Sequence, residues 1–258
     1  MKKVFAFDCG LIFSPLFINE SCPSSVIAGF YNGISLSRYL EVDQSSRVHL
    51  FEASELQRER IIKTYHENTR INICMTALCG TVDLKPKVFR DYERKTKLHK
   101  GNYGYGALED CLDRQKTNTS YQVSTMNLKY YLDILPSRSQ THIHLDIEGA
   151  EIEVIESFEG HLDQYTNQLS LELEPSKTQS LKERYIQLHR SSGLKFACLL
   201  VNRDGSFVDI NDYKTIICNP ETSGINVYMI KPELIDYLGL NKKLRLNYQS
   251  MVNSILKG

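Results

Sequence analysis

The chain reads as an α/β domain on a Rossmann-like, doubly wound and mostly parallel sheet. Two observations predict it. Short apolar runs alternate with helical patterns from Val26 to Ile230, and acids and glycines stand where those runs end. A length of 258 residues, 29.7 kDa, suits one generous domain, so 1–258 is taken as a single unit. Within it, about 80–118 reads as an insertion and about 240–256 as a C-terminal helix.

Val4–Phe7 is a short apolar strand. Lys2 and Lys3 before it loosely imitate a signal peptide, but Asp8 interrupts the apolar stretch and no small-x-small site follows, so a buried strand is expected. Residues 14–25, rich in Ser, Pro and Asn, form a loop. Val26–Ala28 is the next strand and runs into Gly29-Phe30-Tyr31-Asn32-Gly33. Leu36, Tyr39 and Leu40 share one face of a helix over 35–42. Val48–Glu52 is a strand ending in an acid, 55–67 a polar helix, and Ile71–Leu78 a single strand. Residues 80–118 break the rhythm with seven basic residues between Lys85 and Lys100, then Gly101-Asn102-Tyr103-Gly104-Tyr105-Gly106. They read as a basic hairpin with a mobile glycine-rich loop, of the composition of an active-site lid. The α/β pattern resumes over 122–128, with a helix over 129–135, a strand at His142–Ile147 and a helix from Ala150. Strands at 168–174, 195–201 and 225–230 follow, with a helix over 181–191. Between the last two strands only an Asp204-Gly205 turn and a loop with Pro220 and Gly224 are expected.

Lys+Arg and Asp+Glu are equal at 31 each, so no global charge draws the chain to nucleic acid. No run reaches the roughly 20 apolar residues of a membrane helix. Seven scattered cysteines, with no CxxC or zinc spacing, read as reduced thiols of a cytoplasmic protein, Cys74 and Cys198 as core residues. Between Lys85 and Lys100 the local excess is five positive charges, which suits a solvated hairpin or an anionic group on a substrate. Leu240, Leu244, Tyr248, Met251, Val252 and Ile255 form one helical stripe, suited to docking on the sheet or on a second copy as a homodimer.

Ligands of doubly wound sheets sit beyond the carboxyl ends of the strands. Glu52 stands at such an end, where a carboxylate accepts both hydroxyl hydrogens of a ribose, or else serves as a helix-terminal charge. Gly29 and Gly33 lie between strand and helix, where backbone passes close to a ligand. Asp8 and Gly10 of Asp8-Cys9-Gly10 form the rival nucleotide loop. A strand–loop–helix–strand unit of roughly thirty residues favours Gly29 and Gly33. In His142-Ile143-His144-Leu145-Asp146-Ile147-Glu148-Gly149-Ala150-Glu151 every second residue is polar. Asp146 ends the strand and faces the cleft, since a carboxylate on a buried strand needs a partner or a ligand. His144 lies deeper on the same face, as a second base or a satisfied core histidine. Glu148 and Glu151 suit helix-terminal charges, and Glu172 and Glu174 line the cleft or an edge.

Phe51-Glu52, Ala77-Leu78 and the block Asp146-Ile147-Glu148-Gly149-Ala150-Glu151 resemble, in order and spacing, the FkbM-type S-adenosylmethionine-dependent methyltransferases. The resemblance runs from about Val26 to Lys231, supported by Val48–Ser54 and Asn32-Gly33-Ile34-Ser35-Leu36. It implies a sheet of the class I methyltransferase type, S-adenosylmethionine as donor, and O-methylation of a hydroxyl on a sugar, glycan or other small metabolite. Gly29, Gly33, Glu52, Ala77 and Asp146 are then cofactor-binding, with Asp8 and Gly10 the alternative loop. Asp146 and His144 are the candidate bases. Three positions depart from the pattern: Ile27 replaces an acid, Leu128-Lys129 a Leu-Asp pair, and Glu174-Pro175 a carboxylate–histidine ending. A degenerate nucleotide- or partner-binding module without catalysis is the competing reading. A magnesium ion between Asp146 and Glu172 or Glu174 suits carboxylate oxygens, but two carboxylates do not make a site, so no metal ligand is assigned.

Overall fold

A strand apolar on both faces has to be covered on both, and that requirement sets the centre of this molecule. The computed structural model describes residues 24–30, 33, 36–37, 39–40, 47–81, 85–94, 103–109, 119–135, 141–176, 178–202, 208–222 and 224–237. The expected Val4–Phe7 strand, Asp8, Gly10, most of the basic run beyond Arg94 and the 240–256 helix lie outside them. Strand β1 (Ser24–Ala28) is buried along its whole length. Val26 and Ala28 join one core cluster and Ile27 the other, as alternate residues of a strand must. Strand β2 (Arg47–Phe51) does the same, with Val48 and Leu50 facing Ile61 of helix α1 (Glu55–Tyr65) and Phe51 facing the opposite layer.

The sheet grows from that pair. Strand β3 (Ile71–Cys74) pairs parallel with β2. Two short strands, β4 (Ala77–Cys79) and β8 (Thr125–Asn127), pair with each other outside it. Between them run β5 (Lys87–Arg94), β6 (Tyr103–Leu108) and β7 (Thr119–Val123), an antiparallel sheet of order β6-β5-β7. Helix α2 (Leu128–Asp133) leads to β9 (His142–Leu145), and α3 (Glu151–Glu156) to β10 (Gln168–Leu173). Helix α4 (Leu181–Ser191) leads to β11 (Ala197–Val201). After α5 (Ile210–Cys218), β12 (Ile225–Ile230) inserts antiparallel between β10 and β11, and α6 (Pro232–Tyr237) follows. The order is β11-β12-β10-β9-β1-β2-β3, a mostly parallel, Rossmann-like sheet of seven strands with helices packed on it.

Local chemistry explains the best-read helix. Ser180 and Glu183 form a capping box at the start of α4. Leu181, Tyr185 and Leu188 then recur on one buried face, and the Tyr185 hydroxyl donates to the Cys198 carbonyl at 2.6 Å. No helix among the described residues is long and apolar enough to cross a membrane.

Three expectations need correction. The apolar run Ile71–Leu78 is two strands, not one. Thr76 turns the chain, its N–H donating to the Cys74 carbonyl at 2.9 Å and its hydroxyl to the Ser124 carbonyl at 2.7 Å. The glycine-rich segment is not a loop from Tyr103 onward: Gly104 and Gly106 belong to β6, paired with Glu93 and Asp91. A Cβ on Gly106 would come within 2.2 Å of the Phe89 ring, so glycine there admits a neighbouring side chain rather than motion. A helix, α5, not expected from the sequence, stands between the Asp204-Gly205 turn, which lies outside the described residues, and the loop with Pro220 and Gly224. Its apolar stripe is short, but Tyr213 and Ile217, four apart, are both buried, and the Leu200 N–H donates to the Tyr213 hydroxyl.

Candidate active site

The carboxyl ends of β1, β2 and β9 and the amino end of β4 open on one cleft, whose walls span about 710 Å³ of space that includes open solvent. Gly29, Glu52, Ala77 and Asp146 all line it, so four of the expected site residues come together from four segments of the chain.

Glu52 is 8% exposed, and both its oxygens are held by main chain. Oε2 accepts from the Phe30 N–H at 2.8 Å and Oε1 from the Ser54 N–H at 2.7 Å. The carboxylate therefore joins the turn after β1 to the start of α1. Burial raises its pKa, opposed by those two hydrogen bonds. A carboxylate has about four lone-pair sites, so these two bonds leave acceptor capacity for a ligand in the cleft.

Gly29 has φ 93°, and a Cβ there would lie 2.0 Å from the Asp146 carbonyl oxygen. Glycine is therefore required for β1 and β9 to turn away side by side. Gly33 does not line the cleft. Its φ is 77°, and a Cβ would meet the Phe30 ring at 2.8 Å, so its reach to a ligand runs through Phe30, which does line it.

Asp146 is half-buried, and its carboxylate finds no hydrogen-bond donor among the described residues. Burial holds its pKa well above the ordinary carboxylate range, reinforced by the charges of Glu172, Glu148, Glu151 and Glu174. The chain behind it is clasped. Glu151 accepts from the N–H groups of Ile147 at 3.0 Å and Gly149 at 3.1 Å, and Arg184 donates to the Gly149 carbonyl at 2.9 Å. Arg184 also lies 3.6 Å from the Glu151 carboxylate. Glu148 and Gly149 both have positive φ, so this is a strained turn held by an ion pair. Glu151 is thus more than a helix-terminal charge. Burial raises its pKa to about 7, opposed by the backbone bonds and Arg184.

His144 stands away from the cleft. It is 5% exposed, its Nδ1 lies 2.8 Å from the Ser170 hydroxyl, and burial lowers its pKa to about 4. It is a satisfied core histidine, and the expectation that it serves as a second base is withdrawn. Among the described residues no group of three or more His, Cys, Asp or Glu is arranged to hold a metal ion.

Sequence reading missed the roof. Phe89, Gly106 and Leu108 of the inserted sheet line the cleft opposite Ala77 and Ala150. Beside them Asp91, fully buried, accepts from the Tyr121 hydroxyl, which in turn accepts from the Glu55 N–H at 2.6 Å. Burial raises the Asp91 pKa against that hydrogen bond. The one signal for this network in the sequence is a pair of acids two positions apart, Asp91 and Glu93, in an otherwise basic run.

No protein-family model matches this sequence, and no curated protein matches it. Solved structures similar to it include a fibrillarin/Nop5p complex, at 9% identity and TM-score 0.44, covering 83% of this chain and 74% of that one. A spermidine synthase from Thermotoga maritima is similar at 12% and 0.44, over 96% and 72%. A putative methyltransferase from Thermobifida fusca YX is similar at 9% and 0.41, over 84% and 77%. These are likenesses in overall fold. What the site does has to follow from its own residues.

Proposed function

We propose that the chain is an S-adenosylmethionine-dependent methyltransferase of the FkbM type, acting on a hydroxyl oxygen of a sugar, glycan or other small metabolite in the cytoplasm. The observation that carries this reading is Glu52. A buried carboxylate at the second strand end, pinned by main-chain N–H groups and keeping acceptor capacity toward the cleft, suits a vicinal diol. The cleft opens to solvent and has apolar walls from Phe30, Leu78 and Phe89 that suit a base.

S-adenosylmethionine, when bound, supplies an electrophilic methyl group on a sulfonium. The protein's own task is to place the acceptor in line with that group and to take its proton. Asp146 faces the same cleft with no donor of its own, and its raised pKa makes it a stronger base than an ordinary carboxylate. Glu148 beside it adds negative charge, which favours a sulfonium over a neutral ligand.

One observation favours a non-catalytic module instead. Ile27, standing where the resemblance expects an acid, is 1% exposed and packed against Leu50 and Ile61, so β1 offers the cleft no charge. Titration calorimetry with S-adenosylmethionine and S-adenosylhomocysteine tests the proposal. Heat with both supports a donor site, and a folded sample that binds neither overturns it. Binding of both without methyl transfer to any sugar or metabolite hydroxyl supports the module.

A further inference from the structure

We propose that the inserted sheet holds the donor's ribose acceptor in place, with Asp91 of β5 and Tyr121 of β7 as positioning residues for Glu52. The inference rests on the reading of Glu52 as the ribose partner.

Helix α1 has Ser54 at its N-cap, a residue type whose hydroxyl ordinarily accepts from an amide of the first turn. Here the Ser54 side chain makes no capping bond. The first helical amide, that of Glu55, donates instead to the Tyr121 hydroxyl, which passes its own proton toward Asp91. One residue earlier, the Ser54 amide donates to Glu52. Two consecutive N–H groups are thus held from two different sheets, Ser54 by the parallel sheet and Glu55 by the insertion. The turn between Glu52 and α1 cannot shift without breaking one of them.

The insertion is shaped for this contact. Phe89 pairs with Tyr121 across the ladder, and Asp91 lies two residues on, so all three side chains share one face. Gly106 stands opposite Asp91, where a Cβ would lie 2.9 Å from Oδ1 and 2.2 Å from the Phe89 ring. Asp91 is fully buried, and among the described residues no cation pairs with it. A carboxylate in such a place is costly, and the groups that offset its burial, the Tyr121 hydroxyl first, tie it to the start of α1, which argues that this junction matters to the site.

The test is a double-mutant cycle read by S-adenosylhomocysteine affinity. Tyr121→Phe removes the hydroxyl and is expected to weaken binding about 3- to 10-fold, the range for one lost hydrogen bond. Because it acts through Glu52, the double variant Tyr121→Phe/Glu52→Gln should bind no more weakly than Glu52→Gln alone. Asp91→Asn keeps an acceptor for Tyr121 and should show a smaller loss with the same non-additivity; it carries the cycle if Tyr121→Phe does not fold. Unchanged affinity, or losses that multiply, overturns the positioning role and leaves a structural one. Failure of the Glu52 reading itself is distinguishable, because wild type would then bind no donor or Glu52→Gln would bind it normally.

Discussion

Glu52→Gln is the sharpest perturbation of the site, because the structure gives both sides of its effect. The carboxylate accepts N–H bonds from Phe30 and Ser54 at 2.8 and 2.7 Å. A glutamine has one oxygen, so one of those amides faces an NH2 group and goes unpaired, and the diol loses one charged acceptor. Hydrogen bonds to charged groups contribute about 1.5–3 kcal/mol, so donor affinity should fall about 10- to 150-fold. Stability responds differently. Burial already raises the Glu52 pKa, so removing its charge returns part of the desolvation cost and offsets the lost amide bond. The melting temperature should therefore move by a few degrees while affinity moves by more than a decade. Calorimetry with S-adenosylhomocysteine, with a melt on the same sample, reads both. An analogue without ribose hydroxyls should bind wild type and variant alike. Normal affinity with a lowered melting temperature would refute the ribose role and leave Glu52 a clamp between β1 and α1.

Asp146→Asn should lower methyl transfer roughly 100-fold or more with donor affinity unchanged, and abolish a rise in rate with pH whose midpoint lies above the usual carboxylate range; a normal rate makes Asp146 structural. Gly29→Ala should cost about 1–3 kcal/mol for its backbone conformation, plus the clash with the Asp146 carbonyl, and an unchanged melt counts against the packing described. Gly33→Val should lower stability and donor affinity together through Phe30; lost affinity at full stability points to direct contact with the ligand. Glu151 titrates near 7 in the fold against 4.5 in the free side chain, so between those values the folded state holds the extra proton. Stability from this group is greatest below about pH 4.5 and is lost as pH rises through 7, and Glu151→Gln should flatten that slope in melts taken from pH 5 to 8.

The central sheet was legible because its strands are written in short apolar runs, and the strand Ile225–Ile230 and the helix Leu181–Ser191 match their expected bounds residue for residue. Glu52 and Asp146 were legible for a different reason: an acid closing an apolar run has few explanations other than a strand end at a cleft. His144 misled because the same alternation that exposes Asp146 also puts a histidine two residues deeper on the same face. Only the neighbouring strand, which sets Ser170 beside it, decides between base and core. The break at Thr76 was hidden likewise, since it depends on the Ser124 carbonyl, 48 residues away.

The same limit explains why the inserted hairpin, which β5 and β6 do form, was read for its basic outer face alone. Its composition reports the face turned to water, where Arg90 pairs with Glu109. Its function lies on the other face, in Phe89, Asp91 and Tyr121, which acquire meaning only where they meet Gly106 and the start of α1. The parallel sheet supplies the cleft's carboxylates at its strand ends, and the insertion covers them. If that division holds, changes in β1, β2 and β9 should alter donor binding in every reaction of the site. Changes at Leu108, which walls the cleft without touching Glu52 or Asp146 through any hydrogen bond, should alter which acceptor it takes.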